Sequence, residues 1–165
     1  MELEQRQLIL SILRRAATLT VATVREDGWP QATVVSFVND DLDLYFGTAP
    51  HSQKMENIAR DSRVSATVTP EHDRSKDIQA ISLAAEAERV TDAGELLRVA
   101  DLVLKKFPRP GPLAPAAVLE GVAVVRLRPT IVSLLDYSRS FGQTDLIELG
   151  DSQASPDHRG GDRRP

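Results

Sequence analysis

Cysteine is absent from this 165-residue chain. That excludes disulfide frameworks, thiolate zinc sites, iron–sulfur clusters and cysteine nucleophiles together, and it fits a reducing, cytoplasmic setting. Histidine is scarce: His51, His72 and His158 lie far apart in sequence, so no His-rich metal centre is expected. Charge of one sign is also lacking. The 24 acidic and 20 basic side chains leave a net charge of −4, which provides no electrostatic footprint for nucleic acid. No apolar run approaches the ~20 residues of a membrane span, and the start, Met1 to Gln5, is acidic where a secretory signal is basic. The common catalytic signatures are missing: no Gly-x-Ser-x-Gly, no P-loop, no Gly-x-Gly-x-x-Gly, no His-Glu-x-x-His. Aromatics make up only 4% of the chain, so the core must be built mainly from Val, Leu, Ile and Ala.

What is present suffices for one domain. Hydrophobic residues make up 41% of the chain, normal for a packed core. Residues 3–149 read as that domain. Residues 150–165 read as a disordered polar tail, because Ala154 is its one apolar side chain and so little burial cannot offset the entropy of ordering. Ile9, Ile12, Leu13 and Ala16 form one helical stripe. The period then drops to two. Leu19–Val24, Ala32–Val38 and Leu42–Gly47 read as three strands joined by the turns Glu26-Asp27-Gly28 and Asn39-Asp40-Asp41, an antiparallel meander. A short helix carrying Met55, Ile58 and Ala59 follows, with Ser52 placed to cap it. Arg63–Val68 and Ile78–Val90 are further strands. Asp92 and Glu95 have capping-box spacing at the start of a long helix with a stripe of Leu96, Ala100, Val103 and Leu104. The proline-rich run after Phe107 forbids regular structure. Val122–Leu127 and Thr130–Leu135 read as two strands joined through Arg128-Pro129, and Leu146–Leu149 as a short last one. The prediction is a mainly β (α+β) fold of six or seven antiparallel strands with two or three helices, closed as a small barrel that removes exposed edges. A two-layer sheet is the alternative.

The chemistry is concentrated in Tyr45 to Asn57. A strand ends, a loop of small residues follows, and a helix begins with Ser52 and Lys54 in its first turn. Free N–H groups and the positive end of the helix attract an anion. A lysine there opposes the helix dipole, and a bound anion would repay the mismatch. Hydroxyls of Thr48 and Ser52 would complete a phosphate cradle. The acids Asp40, Asp41 and Asp43 sit in a turn and read as solvated.

Gly28 through Phe37, Leu42 through Gly47, Ser52-x-Lys54-x-x-Asn57 and the later Asp136 to Asp145 together resemble the pyridoxamine 5'-phosphate oxidase-like family of flavin-binding split barrels. The resemblance implies a split β-barrel homodimer with FMN bound between subunits and a small-molecule substrate for an oxidoreductase. It implies phosphate contacts from Thr48, Ser52, Gln53 and Lys54. It places the ring along Thr33, Val34, Val35 and Ser36, with Phe46 beside it and Gln79, Tyr137 and Phe141 approaching. Relatives of this family bind a deazaflavin coenzyme or haem instead, or carry a cofactor without turnover; Arg60, Arg63 and Lys76 are the cations a longer deazaflavin tail would use. The basic C-terminal motif that holds a pyridoxamine phosphate substrate in the family has no match here, because Arg159, Arg163 and Arg164 stand in the polar tail. No side chain is nominated as a catalytic acid or base.

Overall fold

In a computed structural model that describes residues 1–71, 78–108, 119–137 and 144–150, the elements run α1 (Leu3–Arg15), β1 (Thr18–Val24), β2 (Pro30–Asp40), β3 (Asp43–Thr48), α2 (Gln53–Arg60), β4 (Arg63–Val68), β5 (Gln79–Arg89), α3 (Ala93–Lys106), β6 (Ala123–Asp136) and β7 (Thr144–Glu148). The strand order is β3-β2-β1-β4-β5-β6-β7, and an additional β3–β6 pairing closes the first six into a barrel. Every pairing is antiparallel. Closure leaves no free edge around most of the barrel, and β7 extends the sheet outside it. The mainly β barrel with three helices is the predicted architecture. The polar tail beyond residue 150 lies outside the described residues.

Alternation along the strands builds the interior. Leu19 and Val21 of β1, Leu44 and Phe46 of β3, Val64, Ala66 and Val68 of β4, and Ile81, Leu83, Ala85 and Ala87 of β5 share one buried cluster. The stripe of α1, Ile9, Ile12 and Leu13, joins that cluster, as do Met55 and Ile58 of α2. Helix α3 packs on the outer surface, where Val99 meets Val38, Tyr45, Val90 and Val124 in a second cluster. The predicted stripe of α3 omitted Val99, which is buried with Ala100; Leu96 and Val103 pack beside them. Asp92 caps α3 by accepting from Glu95 N at 2.7 Å, and Gly28 takes its predicted positive φ of 83° in the β1–β2 turn.

One expectation is corrected. The two strands separated at Arg128-Pro129 are a single strand, β6. Proline cannot donate to a ladder, and the register absorbs it. Ala84 pairs with Ile131 while Ala85 pairs with Pro129, so Thr130 is the extra residue of a bulge. Its hydroxyl donates to Ala84 O at 3.3 Å, and its carbonyl accepts from Leu149 N at 2.9 Å.

The C-terminal turn of α3 reaches back to α1. Lys106 Nζ donates to Leu13 O at 3.1 Å and lies 3.7 Å from the centre of the Phe37 ring. Burial lowers its pKa from the usual lysine value to about 8. The unfolded chain therefore binds more protons than the fold between that value and the normal lysine range. Stability contributed by this site should rise from about pH 8 to about pH 10.5. Lys106→Met should lack that rise, so the wild-type midpoint should gain on the variant's across the window; parallel midpoint curves would refute it.

Candidate functional site

The barrel is split along one seam. Strand β3 pairs with β2 only through Phe37–Asp40, opposite Asp43–Phe46. Its other edge pairs with β6 from Leu44 to Thr48, so Gly47 and Thr48, opposite Val124 and Ala123, are paired on that edge after the β2 ladder has ended. Residues Pro30–Ser36 of β2 pair with β1 on one side and, among the described residues, have no strand on the other. Every second residue there turns its N–H and C=O into the gap. The predicted ring-contact residues divide by face. Thr33 and Val35 share the inner face with Val21 and Leu19 across the ladder, whereas Val34 and Ser36 face outward. Thr33 Oγ1 is buried without a hydrogen-bond partner, a condition that costs about 1–3 kcal/mol.

The far lip of the gap is the segment from Thr48 to α2. Ser52 is the N-cap, its hydroxyl accepting from Met55 N at 3.4 Å. Thr48 Oγ1 lies 3.1 Å from Ser52 Oγ, and Lys54 Nζ donates to Thr48 Oγ1 at 3.4 Å. Lys54 is only 9% exposed, and its ammonium sits 5.9 Å from the centre of the Phe46 ring. Among the described residues no carboxylate forms an ion pair with it. Burial lowers its pKa below the usual lysine value. Thr48, Ser52, Lys54 and Phe46 thus come together, around a cation for which no described residue supplies a counter-charge.

Gln53 turns away from this cluster, donating to Asn57 Oδ1 at 3.1 Å. The role of Asn57 was not evident from the sequence beyond its place in the Ser-x-Lys-x-x-Asn pattern. It is fully buried and donates to Thr23 Oγ1 at 2.9 Å and Gln31 Oε1 at 3.2 Å. It thereby clamps α2 to β1 and β2 and sets the width of the gap. Gln79 and Tyr137 lie elsewhere. Gln79 pairs with Asp136, accepts from Arg15 at 2.7 Å and donates to Asp136 at 3.3 Å; Tyr137 N donates to Ile78 O at 3.0 Å. That is the opposite end of β6 from Thr48, which pairs with Ala123. Phe141 lies outside the described residues, as does Lys76. Arg60 and Arg63, the other cations considered for a longer anionic tail, are drawn to Glu26 at 3.8 Å and Asp61 at 2.7 Å.

Beside the seam, outside the barrel, Tyr45 donates to Glu95 at 2.9 Å, and Arg126 donates to the same carboxylate at 3.0 Å and also pairs with Glu88. Burial, then the Glu95 bond, raises the Tyr45 pKa. Burial raises that of Asp43, against the pull of Arg126 and Arg128; this turn acid is less solvated than the sequence suggests. The network holds α3 on the barrel. Among the described residues no cluster of His, Asp and Glu is arranged for a metal, and no helix is long and apolar enough to cross a membrane.

A six-stranded antiparallel barrel, open at one seam beside a helix-borne lysine, defines the split-barrel class. A profile of the pyridoxamine 5'-phosphate oxidase family matches residues 6–135, and the chain belongs to that family. Among solved structures it is similar to protein Rv2991 of Mycobacterium tuberculosis, with 23% identity, a TM-score of 0.73, and 92% of this chain and 94% of that one covered. It is also similar to a haem-binding protein of Mycobacterium smegmatis, with 20% identity, a TM-score of 0.71 and 90% of this chain covered, but only 59% of that longer one. General Stress Protein 26 of Bacillus anthracis matches with 20% identity, a TM-score of 0.64, and 89% and 100% covered. At such identities the likeness concerns the fold. A search of curated proteins finds no match.

Two substitutions probe the corner without any ligand. Asn57→Leu should destabilise the protein by about 1–3 kcal/mol in chemical denaturation, because Thr23 and Gln31 lose their partner. Lys54→Met should instead stabilise the ligand-free protein by roughly 0.3–1 kcal/mol, the scale of the opposed helix dipole. A loss of stability in Lys54→Met would show that the lysine is already compensated.

Proposed function

We propose that this chain is an FMN-binding oxidoreductase that holds the flavin in the split seam, between two copies of itself, and acts on a small molecule. The observation that carries the reading is the buried Lys54, with no described carboxylate beside it, against Thr48 and the N-cap Ser52 where β3 has run past its ladder with β2. The donor set fits the group. A phosphate needs a cation, hydroxyls and helix N–H groups, which Lys54, Thr48, Ser52 and the first turn of α2 offer. A flat ring with a polar edge needs backbone donors and acceptors, which the unpaired edge of β2 offers beside the orphaned Thr33 hydroxyl. When bound, the flavin supplies the electron transfer, and the protein supplies orientation and electrostatics.

Two features support a second copy. Trp29 and Val34 are 69% and 67% exposed, an apolar surface on the β1–β2 hairpin of a kind that marks interaction sites. The Gln79–Tyr137 end of the barrel is separated from the Lys54 corner by nearly all 14 residues of β6, roughly 45 Å of strand contour. A two-fold partner would bring that end to the flavin. With no cysteine in the chain, the reading places the dimer in the cytoplasm.

Flavin fluorescence titration tests it. FMN should bind, and Lys54→Met should weaken FMN at least about tenfold, the value of one charge-assisted hydrogen bond, while leaving riboflavin, which has no phosphate, unchanged. Equal effects on both ligands would refute the phosphate assignment; no FMN binding by wild type would refute the function. Haem belongs in the same titration, given the likeness to the M. smegmatis protein. Val34→Asp should shift sedimentation toward monomer and weaken FMN in parallel.

A further inference from the structure

We propose that the cleft between α2 and the end of β5 is a binding site for a small zwitterion with an apolar body, the chemistry of a free apolar amino acid or of a short peptide of such residues. The cleft shares no lining residue with the phosphate corner, and its existence does not depend on the flavin reading above.

The cleft has a volume of about 450 Å³, within the range of small-molecule sites. Helix α2 divides its side chains between two tasks. Lys54 turns to Thr48, and Asn57 turns to Thr23 and Gln31. Met55, Ile58 and Ala59, at the spacing of one helix face, line the cleft instead, together with Ala87 of β5. Met55, Ile58 and Ala87 also belong to the core, so the floor of the cleft is apolar and fixed. An apolar body laid on it gains by leaving water.

Charges of both signs stand on this cleft. Glu56 lies in the first turn of α2, where the helix dipole favours a carboxylate, and Arg89 is the last residue of β5. Both are exposed, and they form no ion pair with each other. Among the described residues no carboxylate pairs with Arg89 and no cation with Glu56. Glu56 has only a long bond from Gln53, at 3.3 Å. Glu88, which also lines the cleft, is taken by Arg126 and, at 3.5 Å, by Arg128. A guanidinium and a carboxylate that share an apolar cleft without meeting suit a molecule whose own carboxylate and ammonium satisfy one each. A ligand of a single charge would be attracted by one and repelled by the other. His51 adds a third polar group. Its turn is closed by Ser52 N donating to Ala49 O at 3.1 Å, with Pro50 at the second position, where its fixed φ fits.

The test follows amide chemical shifts of the full-length protein during titration at neutral pH. The probe is phenylalanine, beside hydrocinnamate, which lacks its ammonium, and phenethylamine, which lacks its carboxylate. Phenylalanine should shift the amides of His51, Met55 and Arg89. It should bind at least about threefold tighter than either singly charged analogue, the scale of one exposed ion pair. Glu56→Gln should weaken phenylalanine about threefold and spare hydrocinnamate, and Arg89→Gln should weaken phenylalanine about as much and spare phenethylamine. Both residues are exposed, so both variants should keep the fold. Ala59→Trp, which fills the cleft from an exposed position on α2, should weaken all three probes. Arg98→Gln on α3, an equal change of charge outside the cleft, should leave binding unchanged. The dipeptide phenylalanyl-alanine, whose charges stand further apart, distinguishes the two sources: tighter binding than phenylalanine assigns the cleft to short peptides, weaker binding to the free amino acid. No binding of phenylalanine or the dipeptide, singly charged analogues that bind as tightly, or an Arg98→Gln effect equal to that of Arg89→Gln would overturn the proposal. Loss of the probe as protein concentration rises would overturn it by assigning the cleft to a second copy, and displacement by saturating FMN would overturn it by joining the cleft to the flavin site. Phenylalanine binding blocked by Ala59→Trp in a protein that takes up no FMN would uphold the site while refuting the flavin reading.

Discussion

The structure turns on the point where β3 leaves β2. After four ladder pairs, from Asp40 with Asp43 to Phe37 with Phe46, β3 runs on past β2, while its other edge pairs with β6 from Leu44 to Thr48. Backbone groups buried without partners are costly, so each strand must satisfy them somewhere. Strand β3 does so on both edges from Leu44 to Phe46 and on its β6 edge as far as Thr48, which closes the barrel. Strand β2 does so on one side only, and its other edge from Pro30 to Ser36 is left for solvent or a ligand. A fully laddered barrel would have a lower backbone cost and no site.

That gap would be an unstable feature without a brace, and α2 provides it. Asn57 reaches from the helix to Thr23 and Gln31 on the two strands that form the near wall. Hydrogen bonds between buried polar groups of this kind specify a geometry more than they stabilise it, because each partner is costly when alone. With α2 held at that spacing, Lys54 has little choice but to be buried at the helix N-terminus beside Thr48. Dipole and desolvation both oppose its charge there. The strain is local and is compensated by the large apolar interior that Phe46, Met55 and Ile58 share with the barrel.

Helix α3 is held by a different device. Its apolar residues meet the outer wall around Tyr45 and Val124, and its Glu95 collects both the Tyr45 hydroxyl and the Arg126 guanidinium. A carboxylate accepting from two donors is fixed in orientation. The helix is therefore fixed on the wall near its first turn, while Lys106 anchors its last turn to α1 through Leu13 and to β2 through Phe37.

Much of the architecture was legible in local pattern. The stripe of α1, the strand alternations, Gly28 in the first turn and the caps at Ser52 and Asp92 are all short-range effects, written in neighbouring residues. The grouping of Thr48, Ser52 and Lys54 was legible for the same reason: six residues and one helix turn bring them together. The bulge that carries Pro129 through β6 was not, because it depends on a register set by Ala84 and Ala85 some forty residues earlier. Nor were the Asn57 clamp, the Glu95–Arg126 bridge or the place of Val99 in the outer cluster, each of which joins elements distant in the chain. Gln79 and Tyr137, which the resemblance brings toward the flavin ring, stand at the other end of β6 from Thr48 in one copy of the chain, a separation set by barrel closure. The sequence by itself determined which segments are strands and helices, and that a cation would open the second helix. Only the tertiary structure decided that this cation is buried with no described carboxylate beside it, and that one edge of β2 lacks a described partner strand, because burial and pairing are properties of how a sheet closes on itself.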